Sequence, residues 1–276
     1  MMKSCSQFLP RTFGKLPLLS AICMTLLMLL PLSALAQSVG LSHRSYMLGS
    51  GYANILDTYL SAESYKGEEI RYVSTVHKPT RWKNIWKTVM NEGSLSIVSN
   101  RADNNDETGG AYRFEYHLRH QWAQGNLSIE AGAAIGARLG FLYNTRNSNN
   151  PAQVYASIDL MPSAAASYSF TLFKRSSYLR YELAVPLAGL MFSPNYGQSY
   201  YEIFTQGNYD HNIVPTTIGT TPSLRHSLTL DVPLLRRKPM SMVRIGYLGD
   251  YQQAKVNHLK QHHYSHLLLI GWTKYF

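Results

Sequence analysis

The chain has 276 residues, of which 45% are hydrophobic and 12% aromatic, and its formal net charge is +10. A basic balance can indicate nucleic-acid binding, but the export signal described next argues against a nucleic-acid partner. After residue 36 the sequence contains no apolar stretch near 18 residues, which excludes a transmembrane helix in the rest of the chain.

The first 36 residues have the organisation of a secretory signal peptide. Three basic residues and no acidic residue accompany an apolar run, and Ala34 and Ala36 occupy the positions that a signal peptidase reads. Pro31 inside the run argues against a membrane anchor. We therefore expect cleavage before Gln37, which leaves 37–276 as the folded domain of an exported protein from a Gram-negative bacterium.

The mature chain is predicted to contain no cysteine, because Cys5 and Cys23 both lie in the signal. Its charge falls to +7, since the signal removes three of the 26 basic residues and none of the 16 acidic ones. An exported domain of this size without disulfides needs another source of stability, and a closed, hydrogen-bonded β-barrel in a membrane is one. The expected partner of its basic surface is outer-membrane lipid, in particular anionic lipopolysaccharide.

Alternation of apolar and polar residues is clearest at 111–123 and repeats at 127–143, with Gln124-Gly125-Asn126 as a hairpin turn between them. Membrane barrel strands alternate lipid-facing and lumen-facing residues in this way. A soluble β-sandwich shows the same period and remains an alternative. The pattern predicts about ten strands, with eight or twelve open, at 46–57, 68–77, 82–100, 111–123, 127–143, 153–173, 178–187, 225–234, 243–251 and 263–276.

The connections predict a transmembrane antiparallel up-and-down barrel with both ends in the periplasm. Short and long joins alternate along the chain, as periplasmic turns and outside loops do. Within the third strand, Asn91-Glu92-Gly93 suggests a β-bulge. The short joins are 124–126, 174–177 and 235–239, and the long joins are 102–109, 144–152, 193–221 and 253–262.

The last strand ends in an aromatic residue, Phe276, on the same face as Leu268, Ile270 and Trp272. A C-terminal aromatic residue resembles the signal that the bacterial barrel-assembly machinery recognises. We therefore expect that machinery to be a partner of this chain through Phe276.

Charged residues recur on the predicted lumen face. The interior of so narrow a barrel is mostly filled by side chains, so we favour a plug of paired charges. A narrow ion or solute path lined by arginine is the alternative. The predicted lumen set is Arg71, Arg113, Glu115, His117, Arg119, Glu130, Arg138, Asp159, Arg180, Glu182, Arg225, Asp231, Arg244 and Asp250.

A rim active site is a second hypothesis, because outer-membrane barrels include proteases and lipid-modifying enzymes. His263 and Ser265 lie two apart on the last strand, and Asp250 is expected nearby on its neighbour, as a Ser–His–acid site would need. Rim polar residues that satisfy one another are the plainer reading, and we favour a chain that is not an enzyme. The histidines around 258–266 lack a metal-binding spacing, so we expect neither a metal nor another cofactor.

The 193–210 segment contains four tyrosines and is the most unusual predicted loop. Its bulky residues could pack over the barrel mouth, either as a plug or as a surface for glycan or lipid A. The candidate ligand-binding residues are Tyr196, Tyr200, Tyr201 and Glu202.

Four segments, at 144–153, 191–204, 222–225 and 256–266, resemble characteristic segments of an uncharacterised Bacteroidetes family read as an outer-membrane-type barrel. The segments begin Asn-Thr-Arg-Asn, Met-Phe-Ser-Pro, Pro-Ser-Leu-Arg and Val-Asn-His-Leu, and the resemblance covers roughly residues 45–276. It implies the fold and the location, and it brings no activity and no catalytic residues. The sequence thus predicts an outer-membrane barrel that is structural or surface-binding, with a hydrolase, a lipid A-modifying enzyme or a narrow channel as alternatives.

Overall fold

The computed structural model describes residues 41–147, 150–172, 174–233 and 240–276. The predicted signal peptide and its cleavage site lie outside the described residues, and so does the short join predicted at 235–239. No helix in the described ranges is long and apolar enough to cross a membrane.

Twelve β-strands and one short helix make up the described part of the chain. The helix, α1, covers Tyr200–Phe204. The strands are β1 (His43–Asp57), β2 (Tyr65–Pro79), β3 (Ile85–Ser99), β4 (Asp106–Gln124), β5 (Leu127–Asn144), β6 (Ala152–Leu172), β7 (Arg175–Ala184), β8 (Ala188–Phe192), β9 (Ile213–Thr217), β10 (Leu224–Pro233), β11 (Ser241–Val256) and β12 (Leu259–Tyr275).

These strands close into an antiparallel barrel of ten strand positions. β1 pairs with β12 over its full length, from His43 opposite Tyr275 to Asp57 opposite Gln261. β7 and β8 both pair with β6 and together form the seventh position. β10 pairs with β7 and β9 with β8, so these two form the eighth. The predicted all-β barrel of about ten strands is confirmed.

Side chains alternate between the outside of the barrel and its lumen. On β12, Leu268 is 73% exposed, whereas its neighbour Leu267 is 1% exposed. β6 keeps one alternation through Pro162, with Ile158 and Leu160 outside and Met161 inside, so the predicted single long strand at 153–173 is confirmed. The turn at Gly125 and Asn126 is also as predicted.

Several predictions about local structure are wrong. The strand predicted at 178–187 ends at Ala184, and Arg175 to Ser177 of the join predicted at 174–177 already belong to β7. The 253–262 segment is not a loop, because β11 runs to Val256 and β12 starts at Leu259. Asn257 and His258, with φ of 49° and 62°, form a two-residue turn of the kind that tight hairpins favour. The bulge at 91–93 is absent, since Asn91 to Gly93 pair in unbroken register with β2 and β4.

The long join at 193–221 is only partly a loop, because β9 lies inside it. The barrel end that carries the segments 58–64, 100–105 and 193–212 is called the loop end below. The opposite end, where β1 starts and β12 finishes, is called the turn end.

The barrel wall is interrupted at one level. Residues 185–187 separate β7 from β8, and 218–223 separate β9 from β10. Backbone bonds still cross the break, from Leu187 N to Leu160 O (2.9 Å) and from Lys255 N to Thr220 O (2.9 Å). Pro186 has no N–H to offer to a ladder. The wall is therefore closed there, but irregular.

A close approach of the first and last strands makes Gly51 a sensitive position. A Cβ at Gly51 would lie 2.0 Å from the carbonyl oxygen of His266, whereas a Cβ at Gly93 would have no atom within 4 Å. We expect Gly51→Ala to lower the free energy of unfolding by about 1–3 kcal/mol through overpacking, measured as the urea midpoint in detergent micelles. Gly93→Ala is the matched control. Equal losses in both variants would contradict the close-approach argument.

Candidate binding chamber in the barrel lumen

Ion pairs fill the lumen nearest the turn end and form the turn-side layer. Arg244 donates to both carboxylate oxygens of Asp231, each at 2.6 Å. Arg180 likewise donates to both oxygens of Glu130, at 2.8 and 3.1 Å. Bidentate pairs of this kind are the strong form of the arginine–carboxylate interaction, so side chains occupy this part of the bore.

A second set of charges, the central layer, is built around Arg71. Its guanidinium donates to Glu69 and to Asp250 (2.7 Å) and lies 3.2 Å from Glu92. Arg113 adds a 3.2 Å contact to Asp250, and Arg225 donates to Glu92. Arg71, Glu69 and Asp250 are each at most 2% exposed. Charges buried to this degree require close partners, and the central layer supplies them across the bore.

The three candidate catalytic residues meet in this layer but do not form a Ser–His–acid chain. The Ser265 hydroxyl donates to Glu69 at 2.7 Å, and His263 Nε2 lies 2.8 Å from the same carboxylate. Asp250 instead accepts from Arg71. The serine proton is therefore directed to a carboxylate that also accepts from Arg71, and not to the imidazole of His263.

The structure places every residue of the predicted lumen set on the lumen face of its strand, and it adds members that the sequence reasoning missed. Glu69 and Glu92 are the most important of these, because both contact Arg71. Glu69 shares the alternation of Arg71 on β2, so the period-2 pattern could have identified it. Glu92 lies in the predicted bulge, where the alternation of faces is interrupted, so the sequence did not place it on the lumen face.

A cap of loop residues covers the loop end of the lumen and is called the loop cap below. The Tyr200 ring meets Tyr59 edge-on with ring centroids 5.7 Å apart, and its hydroxyl donates to Gln153 Oε1 at 2.6 Å. Ile203 is fully buried. The Tyr59 hydroxyl donates to the carbonyl of Gln198 at 3.0 Å. The 193–212 loop therefore packs over the barrel mouth.

The four candidate ligand residues of this loop have different environments. Tyr200 packs in the loop cap, whereas Tyr196 and Tyr201 are 74% and 61% exposed. Glu202 completes a capping box with Ser199 at the start of α1. Burial, followed by the charges of Asp57 and Glu202, raises the pKa of Tyr59 to about 12, so its phenol remains a donor near neutral pH.

Between the central layer and the loop cap lies a cavity, called the chamber below, whose space open to water is about 100 Å³. Three arginines and three carboxylates line it, together with polar groups from the interrupted strands. The charged lining residues are Arg113, Arg138, Arg225, Glu115, Asp159 and Asp250. The guanidinium of Arg138 lies over the ring of Tyr155, with 5.1 Å between its carbon and the ring centroid.

The histidines near the last turn do not converge. His263 faces the lumen and contacts Glu69, whereas His266 faces outward and lies 2.6 Å from the Tyr247 hydroxyl. His262 stacks on Tyr264 on the outside, with ring centroids 4.4 Å apart. Within the described ranges, no three His, Cys, Asp or Glu side chains are grouped as a metal site would require.

Removal of one buried charge tests the central layer. We expect Glu69→Gln to destabilise the barrel by about 3 kcal/mol, because it leaves Arg71 with less compensating charge in a buried site. Glu68→Gln is the matched control, since Glu68 is the next residue and points out of the lumen as an exposed side chain. Urea unfolding in micelles, followed by gel mobility, gives both values. Equal stability of the two variants would contradict a structural role for this layer.

Several solved structures resemble this chain in fold. Solved structures with a similar fold include the transport unit of the autotransporter AIDA-I from Escherichia coli (10% identity, 93% of this chain and 97% of that one, TM-score 0.44). They also include the outer membrane protease OmpT from Escherichia coli (9% identity, 88% and 99%, TM-score 0.44) and the beta domain of the Bordetella autotransporter BrkA (8%, 86% and 100%, TM-score 0.42). At these identities the likeness carries no information about activity.

The comparison with curated proteins gives no match. A family of uncharacterised proteins does match, over residues 19–276, which is most of the chain. The predicted membership in a family of unknown function is confirmed, whereas the Bacteroidetes origin stays a prediction. The chain belongs to the family described as "Protein of unknown function (DUF3316)".

Proposed function

We propose that this chain is an integral outer-membrane barrel that is closed to ion flow by its paired lumen charges and that acts by binding at its loop end. The observation that carries the proposal is the central layer. Arg71, Glu69 and Asp250 are nearly unexposed and bonded to one another across the bore. Side chains bonded together in this way across the bore support a lumen without a continuous aqueous path.

The outer surface of the barrel supports membrane insertion. Large apolar side chains are exposed all around the wall, where a soluble protein would bury them or replace them by polar residues. Aromatic rings such as Trp122 and Trp272 accompany them, as expected where a barrel meets the membrane interface. The most exposed aliphatic members are Leu48, Leu95, Ile97, Leu139, Leu160, Ile213, Leu268 and Ile270.

Exposed lysines near the loop end support lipopolysaccharide as the lipid partner. Lys255 and Lys260 are directly opposite each other beside the turn between β11 and β12, and Lys66 is exposed near the start of β2. Their ammonium groups would meet anionic headgroups at the outer surface. Export by a signal peptide and recognition of Phe276 by the assembly machinery belong to the same proposal.

Planar-bilayer recordings separate the closed barrel from the channel alternative. We expect the refolded protein, shown to be folded by heat-modifiable gel mobility, to give no conductance steps. Regular steps from folded protein would overturn the closed-lumen proposal and favour a narrow solute channel. Recovery of the cellular protein in a soluble fraction would overturn the membrane assignment.

A loop-replacement variant identifies what closes the bore. Ser193 N donates to Asn212 O at 2.9 Å, so the residues between them can be replaced by an Asn-Gly turn. We expect this variant to remain non-conducting, because the central layer is built from strand residues. If the variant conducts while the parent chain does not, the loop cap closes the barrel and the charge layers do not.

A further inference from the structure

Arg138 carries a positive charge into the chamber that no described carboxylate neutralises by an ion pair. Its contact is with the ring of Tyr155. Directly opposite it on β4 is Arg113, a second positive charge. Like charges directly opposite each other destabilise a sheet. Arg113 has Asp250 at 3.2 Å, so the uncompensated member of the pair is Arg138.

Asp159 is the corresponding negative group. It accepts from the Ser157 hydroxyl at 3.0 Å and forms no ion pair with the described residues. Ser157 is the partner of Arg138 in the register between β5 and β6, so Asp159 lies diagonally from Arg138 on the turn side and Tyr155 on the loop side. Because Arg138 extends towards Tyr155, the two opposite charges line the chamber without meeting.

Two further buried polar atoms on the chamber wall make no hydrogen bond to the described residues. Nη1 of Arg225 and Oγ1 of Thr216 are buried, and neither has a hydrogen-bond partner among the described residues. Nearly all buried polar atoms in proteins are hydrogen-bonded to protein or to water. The chamber wall is therefore suited to an occupant with polar groups of its own.

We infer that the chamber binds a small zwitterion with the chemistry of an α-amino acid, its carboxylate on Arg138 and its ammonium on Asp159. This inference deepens the proposed function and rests on its premise that binding takes place at the loop end. Arg138 and Asp159 are the two lining charges that form no ion pair with the described residues, and they are opposite in sign, so the ligand they favour is neutral overall with separated charges. A simple anion would leave Asp159 without a counter-charge, and a simple cation would leave Arg138 without one.

The size of the chamber limits the ligand. Its 100 Å³ of space open to water holds several water molecules, and hence a solute of roughly six non-hydrogen atoms. Alanine has this size, and glycine and serine are close to it.

Isothermal titration of the refolded barrel with three related probes tests the inference. L-alanine carries both charges, propionate lacks the ammonium group, and ethylamine lacks the carboxylate. We expect alanine to bind at least about tenfold more tightly than either analogue, because each analogue leaves one charged wall group without a partner. Propionate binding as tightly as alanine would overturn the zwitterion and indicate an anion site.

Matched variants connect the binding to the two residues. Arg138→Gln and Asp159→Asn are each expected to weaken alanine binding about tenfold or more, and Asp159→Asn should remove the preference for alanine over propionate. Arg146→Gln, which changes an exposed arginine two residues after the end of β5, should leave binding unchanged. Heat-modifiable mobility establishes that each variant is folded.

The failure of this inference is distinguishable from failure of the proposed function. A folded, non-conducting barrel that gives no titration signal with any of the three probes overturns the ligand assignment and leaves the closed barrel intact. A folded barrel that conducts overturns the proposed function whatever it binds.

Discussion

The pairing of buried charges in the lumen is the constraint on which the rest of the structure depends. A one-residue slip of a strand against its neighbours would move every lumen side chain of that strand to the outside. In a membrane, an arginine on the outer face costs about 2–4 kcal/mol at mid-depth. It would also leave its former carboxylate partners without a counter-charge. The register that places Arg71 beside Glu69 and Asp250 is thus the one in which both faces of the wall are satisfied.

This constraint explains why the sequence predicts the middle of each strand well. Where one face meets lipid and the other the charged lumen, apolar and polar residues must alternate, as they do at 111–123 and 127–143. The alternation loses its physical cause near the loop end. There Lys255 and Lys260 are exposed on paired strands, so outward positions are polar as well. The β11–β12 hairpin was predicted as a loop for this reason, and β9 was missed within the 193–221 segment.

Alternation also has a limit in predicting the contacts of the lumen residues. Alternation identifies which side chains face the lumen, but it does not identify their partners, since these lie across the bore. Arg71 and Asp250 are 179 positions apart in the chain, and their contact follows from the closure and stagger of the whole barrel. Sequence reasoning therefore predicted a network that includes Arg138, whereas the structure leaves that arginine on a tyrosine ring. Alternation along one strand could have predicted a short-range pair such as Glu69 and Arg71.

The chamber lies between two parts of the lumen that are filled by different kinds of side chain. Towards the turn end, side chains fill the bore as ion pairs, and towards the loop end, the filling includes an apolar and aromatic cluster around Tyr65, Leu142 and Ile55. A ten-position barrel is wider than the eight-stranded barrel that side chains just fill, so space remains between two fillings of different character. The breaks in the seventh and eighth strand positions occur beside that space, and Pro186, Thr216 and Ser223 bring them to its wall. Regular strand pairing therefore ends beside the part of the lumen where Arg138 and Asp159 form no ion pair. This arrangement is expected if the residues at this level were selected for binding a ligand and not for strand pairing.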